Sequence, residues 1–422
     1  MRIIGISLFS YVILIIPTIV LAAPLTLEQA IQKAKQHNPY LHALRNEQAI
    51  GEQQVTQATA AWLPRVDLNG GWTAQKDPQA MAVMGTTMET QDKNYRFGSA
   101  AAQQTLFDFG RRSARISAME HLRDGMALTV TDRSQDVALQ VVTSYLGILQ
   151  SDAMIASLER EQATVVEHKR VAKALFDTGS VTRNDLLQAE VRLASVNQRL
   201  LAVTVQRETL YLQLAFLTGS TPTERPTLTA PTAPGRELSA LSPDRIKIRP
   251  DIKALSQQVA ASDALVREQN RSFYPELYAR LSADYLENSH LREQTVLGAT
   301  IGLKFNLFDG FSTSAGKAKA VLESTRAKDQ LAALEQQAIL ELNTARQELQ
   351  VAEQRISVTK VAISQAQENL RINQNRYQER VGTASDVLDA QTLLSQTETD
   401  NLQAVYEYQR AIARVKRAVG EL

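Results

Sequence analysis

The chain has 422 residues, a formal net charge of +1 and no Cys. That excludes a disulfide framework, a thiolate nucleophile and a lipid-anchoring Cys behind a leader, and it leaves no electrostatic footprint for nucleic acid. Only 10 Phe, 2 Trp and 11 Tyr serve the whole length, whereas Ala, Gln, Leu, Glu and Arg recur in long polar segments, which suits helices in a thin bundle better than a compact core.

In chain order, residues 1–22 read as an export signal: Arg2 is the positive start, Ile3 to Leu21 the apolar region, and Val20, Leu21, Ala22 the small-residue cleavage site. A retained anchor is the alternative, because the apolar run approaches spanning length. Leu25 to Ala61 is predicted helical, opened by Thr26 and broken near Pro39, and it ends at Trp62, Leu63, Pro64. The period then changes to two. Val66, Leu68, Trp72 and Ala74 alternate with Arg65, Asp67, Asn69 and Thr73, which predicts a strand. A loop from Gln75 to Lys93 should lead to a return strand from Tyr95 to Phe107, its alternation blurred by Ala100, Ala101 and Ala102.

Phe109 to Phe176 contains no Pro and is predicted to be one helix of about 100 Å at ~1.5 Å rise per residue. A turn from Asp177 to Thr182 precedes a returning helix from Asn184 to Leu217. Residues 219–243 hold five Pro (222, 226, 231, 234 and 243) among Thr and Ser and read as a linker. Asp244 to Phe273 is predicted to be helical. Leu277, Ala279, Leu281, Ala283 and Tyr285, then Leu297, Ala299, Ile301, Leu303, Phe305 and Leu307, alternate with polar or small residues. Runs of this length and pattern fit membrane-spanning β-strands. Phe311 to Tyr377 is a second long Pro-free helix, and Ala345, Leu349, Ala352, Ile356, Thr359, Ile363, Ala366, Leu370, Asn373 and Tyr377 step by three and four, a coiled-coil seam. A turn from Gln378 to Thr383 and a helix from Ser385 to Val419 close the chain.

The order repeats. Leu106, Phe107, Asp108, Phe109, Gly110 returns 201 positions later as Leu307, Phe308, Asp309, Gly310, Phe311, while Pro39 and Pro64 meet Pro250 and Pro275 at a spacing of 211. The chain therefore divides into a first copy (23–218), the linker (219–243) and a second copy (244–422), with a ten-residue insertion between Pro64 and Leu106. Each chain supplies four spanning strands, and open sheet edges in lipid leave unpaired backbone groups, so copies must share a barrel of eight or twelve strands.

This order of elements, with Leu63, Pro64, Leu106, Phe107, Asp108 and the turn motifs Gly179 to Ala189 and Tyr377 to Ala390, resembles the TolC family of outer-membrane efflux ducts. The resemblance implies mixed helical and membrane-β architecture in a homotrimer: a shared twelve-stranded barrel in the lipid of a Gram-negative outer membrane and a long periplasmic helical tunnel. It also implies a pore constriction at Asp386 and Asp389, with Asp185 as the first-copy counterpart of Asp386 and Tyr377 as the aromatic that latches it. The turn residues Gly179, Ser180, Val181, Thr182 and Val381, Gly382, Thr383 would meet a periplasmic adaptor, itself joined to an inner-membrane pump or ABC exporter. Where the family usually carries Gly shortly after the Tyr, this chain has Arg380, which leaves the geometry of the second turn open. Asp386 and Asp389 also suit a simpler role, favouring the N-terminal dipole of their own helix.

No catalytic constellation is present. His37, His42, His121, His168 and His290 are scattered, and no metal-ligand, phosphate-cradling or nucleophile-elbow motif occurs. No enzyme activity, cofactor or metal is expected. The resemblance implies a passive exit duct for small toxic compounds in a tripartite system, with the outer channel of a type I protein-secretion system as the alternative.

Overall fold

The computed structural model describes residues 24–231, 243–379 and 381–422. The expected export signal, the centre of the linker and Arg380 lie outside them. Helix α1 (Leu27–His37) starts at a capping box in which Thr26 and Gln29 bond each other's backbone. The helix expected from Leu25 to Ala61 is two helices, because Pro39 has no N–H to continue α1 and instead begins α2 (Pro39–Thr59). Asn38 makes the joint: its Oδ1 accepts from the Tyr40 and Leu41 N–H groups, and its Nδ2 donates to Leu217 O.

Strands β1 (Arg65–Ala74), β2 (Ala80–Val83), β3 (Thr86–Glu89) and β4 (Asn94–Phe107) follow. The loop expected over 75–93 thus carries its own hairpin, β2 on β3, turned by Met84 and Gly85 with φ of 49° and 84°. Its span, 80–89, supplies the ten-residue excess of the first half. β4 pairs with β1 on one side and with β5 (Glu276–Leu286) on the other, and β5 pairs with β6 (Thr295–Lys304), all antiparallel. The resulting order is β1-β4-β5-β6, and β1 and β6 are left as open edges. Register aligns Val66, Ala102, Leu281 and Ala299 in one row and Leu68, Ala100, Ala283 and Leu297 in the next on that face. Intervening rows such as Asn69, Ser99 and Asp284 point to the other face. Leu68, Leu297 and Ile301 are 83%, 79% and 76% exposed, so the apolar face has no cover among the described residues. The last strand stops at Lys304, short of the expected Leu307, because the chain must turn there into the cap of the next helix.

The long helices are α3 (Arg111–Asp177) and α6 (Ser312–Gln378), each 67 residues. They return through α4 (Arg183–Thr218) and α7 (Ala384–Ala418). Asp108 and Asp309 begin them, accepting from the N–H groups of Arg112 (2.8 Å) and Thr313 (2.9 Å). Two consecutive left-handed residues precede each, Phe109 and Gly110 (54° and 84°) and Gly310 and Phe311 (66° and 69°). The predicted helix over 244–273 is a 3-10 turn (Pro243–Ile248) and then α5 (Pro250–Arg271), separated at Arg249 by the restriction that Pro250 imposes. Every residue of the predicted seam from Ala345 to Tyr377 is buried or half-buried, and that seam lies against α7. The densest core sits mid-length, where Leu41, Val141, Tyr145, Ile148 and Leu214 pack together. There Tyr145 Oη lies 2.7 Å from both Leu25 O and Thr229 O, which ties the linker's start to the chain's beginning.

Candidate functional site: the two helical turns

Both long helices end in turns that share two hydrogen bonds. After α3, the Thr178 N–H donates to Ala174 O and the Ser180 N–H to Leu175 O; after α6, the Glu379 N–H donates to Asn375 O and the Val381 N–H to Arg376 O, each pair 201 positions apart. These are helix-terminating bonds that satisfy the last carbonyls. In the first turn Gly179 takes the left-handed conformation, φ 69°. Its counterpart is Arg380, outside the described residues. Gly382 meets a different demand, for a Cβ there would stand 3.2 Å from the Arg376 Cβ. Gly179, Ser180, Thr182, Val381 and Thr383 are exposed, and Val181 and Gly382 are half-buried.

Each returning helix opens with a Thr-x-x-Asp capping box. The Thr182 N–H donates to the Asp185 carboxylate at 2.9 Å and the Asp185 N–H to Thr182 Oγ1; the Thr383 N–H donates to the Asp386 carboxylate at 2.9 Å and the Asp386 N–H to Thr383 Oγ1. The bond from the Thr383 backbone holds the Asp386 carboxyl below the usual carboxylate range. The cap thus favours the charged form. Asp389 lies one turn further along α7 and is exposed, so Asp386 and Asp389 share a face.

Tyr377 closes the seam above the second turn, beside Leu370, Val387 and Ala390. Burial and the neighbouring Asp185 carboxylate push its phenol upward. This brings together residues of both halves, Asp185 and Tyr377, while the turns themselves remain separate surfaces. One neighbour escaped the sequence reading. The His168 ring on α3 lies 6.0 Å from the Tyr377 ring, and burial lowers its pKa. Its Nε2 and the Tyr377 hydroxyl are both buried without a hydrogen-bond partner, at a cavity of about 540 Å³ between α3 and the α6–α7 pair. A lone helical His reads from sequence as a solvated residue, and nothing local in the chain marks this one.

The model of the family described as outer membrane efflux protein matches residues 30–220 and 242–421. The chain belongs to that family. It is a TolC-family channel of the Gram-negative outer membrane, with the mostly helical fold and small sheet of such channels. It is 21% identical to the outer membrane efflux protein BepC of Brucella suis, over 92% of this chain and 86% of that one. It is 22% identical to the alkaline protease secretion protein AprF of Pseudomonas aeruginosa, over 92% and 83% respectively. The solved outer membrane protein VceC of Vibrio cholerae superposes with a TM-score of 0.82 at 21% identity, covering 93% of this chain and 96% of that one.

Proposed function

We propose that this chain forms a homotrimeric exit duct in which three four-stranded sheets close a twelve-stranded barrel and the helices form a tunnel beneath it. The observation that carries this reading is the sheet itself, with β1 and β6 as open edges and an exposed apolar face. Unpaired backbone at such edges costs several kcal/mol per group in lipid, and pairing β1 of one copy with β6 of the next removes it. A second feature supports association along the helices: Leu187, Val191, Leu201, Val205, Leu212 and Phe216 form an apolar stripe on α4 left exposed among the described residues.

Under the same three-fold arrangement, Asp386 and Asp389 become rings of carboxylates at the tunnel's far end, a cation-attracting constriction. Tyr377, against Asp185, holds the closed form. The exposed turns around Gly179 and Val381 receive an adaptor's helical hairpin, and a pump behind it supplies the cargo. In this assembly the duct does no chemistry; it contributes a path. Small toxic compounds are the proposed cargo. Similarity to a protein named for alkaline protease secretion keeps a polypeptide cargo as the second reading.

The test is the mass of the detergent-extracted protein, expected to be that of three copies. Leu281→Arg, which places a charge on the lipid face at a cost of ~2 to 4 kcal/mol near the midplane, should abolish it. A stable monomer in mild detergent, or normal assembly of Leu281→Arg, overturns the proposal.

A further inference from the structure

The α6–α7 pair meets the α3–α4 pair chiefly through α7 lying on α3. The two helices run antiparallel, and polar pairs fasten them from mid-length downward. Arg417 bonds Asp132 and Asp136, and Arg410 bonds Gln150. The lowest fastening is reciprocal: Ser157 Oγ on α3 donates to the Glu398 carboxylate on α7 at 2.8 Å, and Ser395 Oγ on α7 donates to the Glu161 carboxylate on α3. Beyond it, toward the turns, the helices part around the cavity where His168 Nε2 and the Tyr377 hydroxyl stand unpartnered.

Glu161 is only 5% exposed, which would be costly for a lone carboxylate. Arg192 and Arg199 on α4 donate to its Oε1 at 2.7 and 2.6 Å. The charge is therefore satisfied within the α3–α4 pair, and the Ser395 hydroxyl is a neutral addition from the other pair. Arg192 and Arg199 hold α4 on α3; the serines hold α7 on α3, with Arg199 Nη1 also donating, at 3.4 Å, to Ser395 Oγ.

Resting on the gate assignment proposed above, we infer that Ser157–Glu398 and Glu161–Ser395 form a clamp that holds the end of α6–α7 in the closed position and loosens as that end swings when the tunnel opens. Ser395 stands eleven residues past Ala384, the start of α7, a lever of about 16 Å at ~1.5 Å per residue. A small rotation at the clamp thereby becomes a displacement of Asp386 and Asp389. The four side chains are positioning residues: they set how far the constriction stays closed and do not line it.

The test is the open-to-closed ratio of single reconstituted channels in planar bilayers, measured for the full chain. Ser157→Ala with Ser395→Ala should raise that ratio about tenfold, since two hydrogen bonds to carboxylates are lost in each copy. Thermal unfolding of the assembled protein should hardly change, because the arginines still satisfy Glu161. Ser395→Thr retains a hydroxyl and should restore the wild-type ratio when it replaces Ser395→Ala. Ser395→Ala alone, the milder variant should the pair fail to assemble, should show a smaller rise. An unchanged ratio in an assembled Ser→Ala variant overturns the clamp, provided that Asp386→Asn with Asp389→Asn alters conduction in the same assay. If that Asp variant also leaves conduction unaltered, the gate assignment fails instead.

Discussion

The turn after α3 and the turn after α6 share two backbone bonds and equivalent Thr-x-x-Asp caps, yet they differ in what they carry. The first has Gly179 and, at the place of Asp389, Gln188; the second has Arg380 and two carboxylates on one face. Phe176, 37% exposed, stands where the second half has the half-buried Tyr377. The backbone is shared while the side chains diverge, so the second carboxylate and the half-buried phenol stand on one side only. The cap explains why Asp185 and Asp386 are both retained: each must start a helix. Asp389 has no such duty, and its carboxylate is exposed.

The largest expected effect tests that asymmetry directly. Asp386→Asn with Asp389→Asn should remove block by divalent cations in bilayer recordings and weaken cation selectivity, while Asp185→Asn should do neither. Equal effects from the two halves would erase the distinction.

A second contrast concerns the residues ahead of the long helices. Both halves place two residues in the left-handed region, but the glycine occupies the second slot in one, Gly110, and the first in the other, Gly310. Replacing either with Ala should cost about 1 kcal/mol for the conformation alone. Gly110→Ala should cost more, because its methyl would stand 2.7 Å from Arg271 Nη1, which donates to Gly110 O, whereas nothing lies within 4 Å at Gly310. Thermal unfolding of the two variants gives the order, and the reverse order would show that neighbours matter less than φ.

The smallest effect is on pH dependence. Burial depresses the pKa of His168, so the fold binds the neutral ring, and its contribution is complete above the ordinary value of 6.5. It is lost as pH falls from there through the depressed folded value. The equivalent residue in the second half is Asn369, which does not titrate. His168→Asn should therefore flatten the fall in thermal stability between neutral and mildly acidic pH, and an unchanged profile would place the titration elsewhere.

Much of this architecture was legible in the chain because its signals are long. A seam of ten residues from Ala345 to Tyr377 leaves no doubt about which face is covered, and alternation from Leu277 to Leu303 fixes the apolar face of β5 and β6. Short signals failed. The hairpin at 80–89 has four-residue strands of Ala, Met and Thr, too brief for a period to register. Phe305 and Leu307 continue the alternation, but the need to present Asp309 as a cap ended the strand first. At the turns, the Thr-x-x-Asp boxes are present in the sequence, and the bond from the Thr383 backbone that holds the Asp386 carboxyl low is what the structure adds. His168 against Tyr377 and Glu161 against Ser395 are contacts across some two hundred residues, which no local pattern announces.

The equal length of α3 and α6, 67 residues each, makes the two helices a matched pair of rulers. One residue deleted from either would shorten it by about 1.5 Å and turn everything beyond the deletion by about 100°, carrying the seam off its partner. Seven residues, nearly two whole turns, would restore the facing but leave that rod about 10 Å short. Length variation in such a chain is therefore quantised in heptads and must be made in both rods together if the two turns are to stay level.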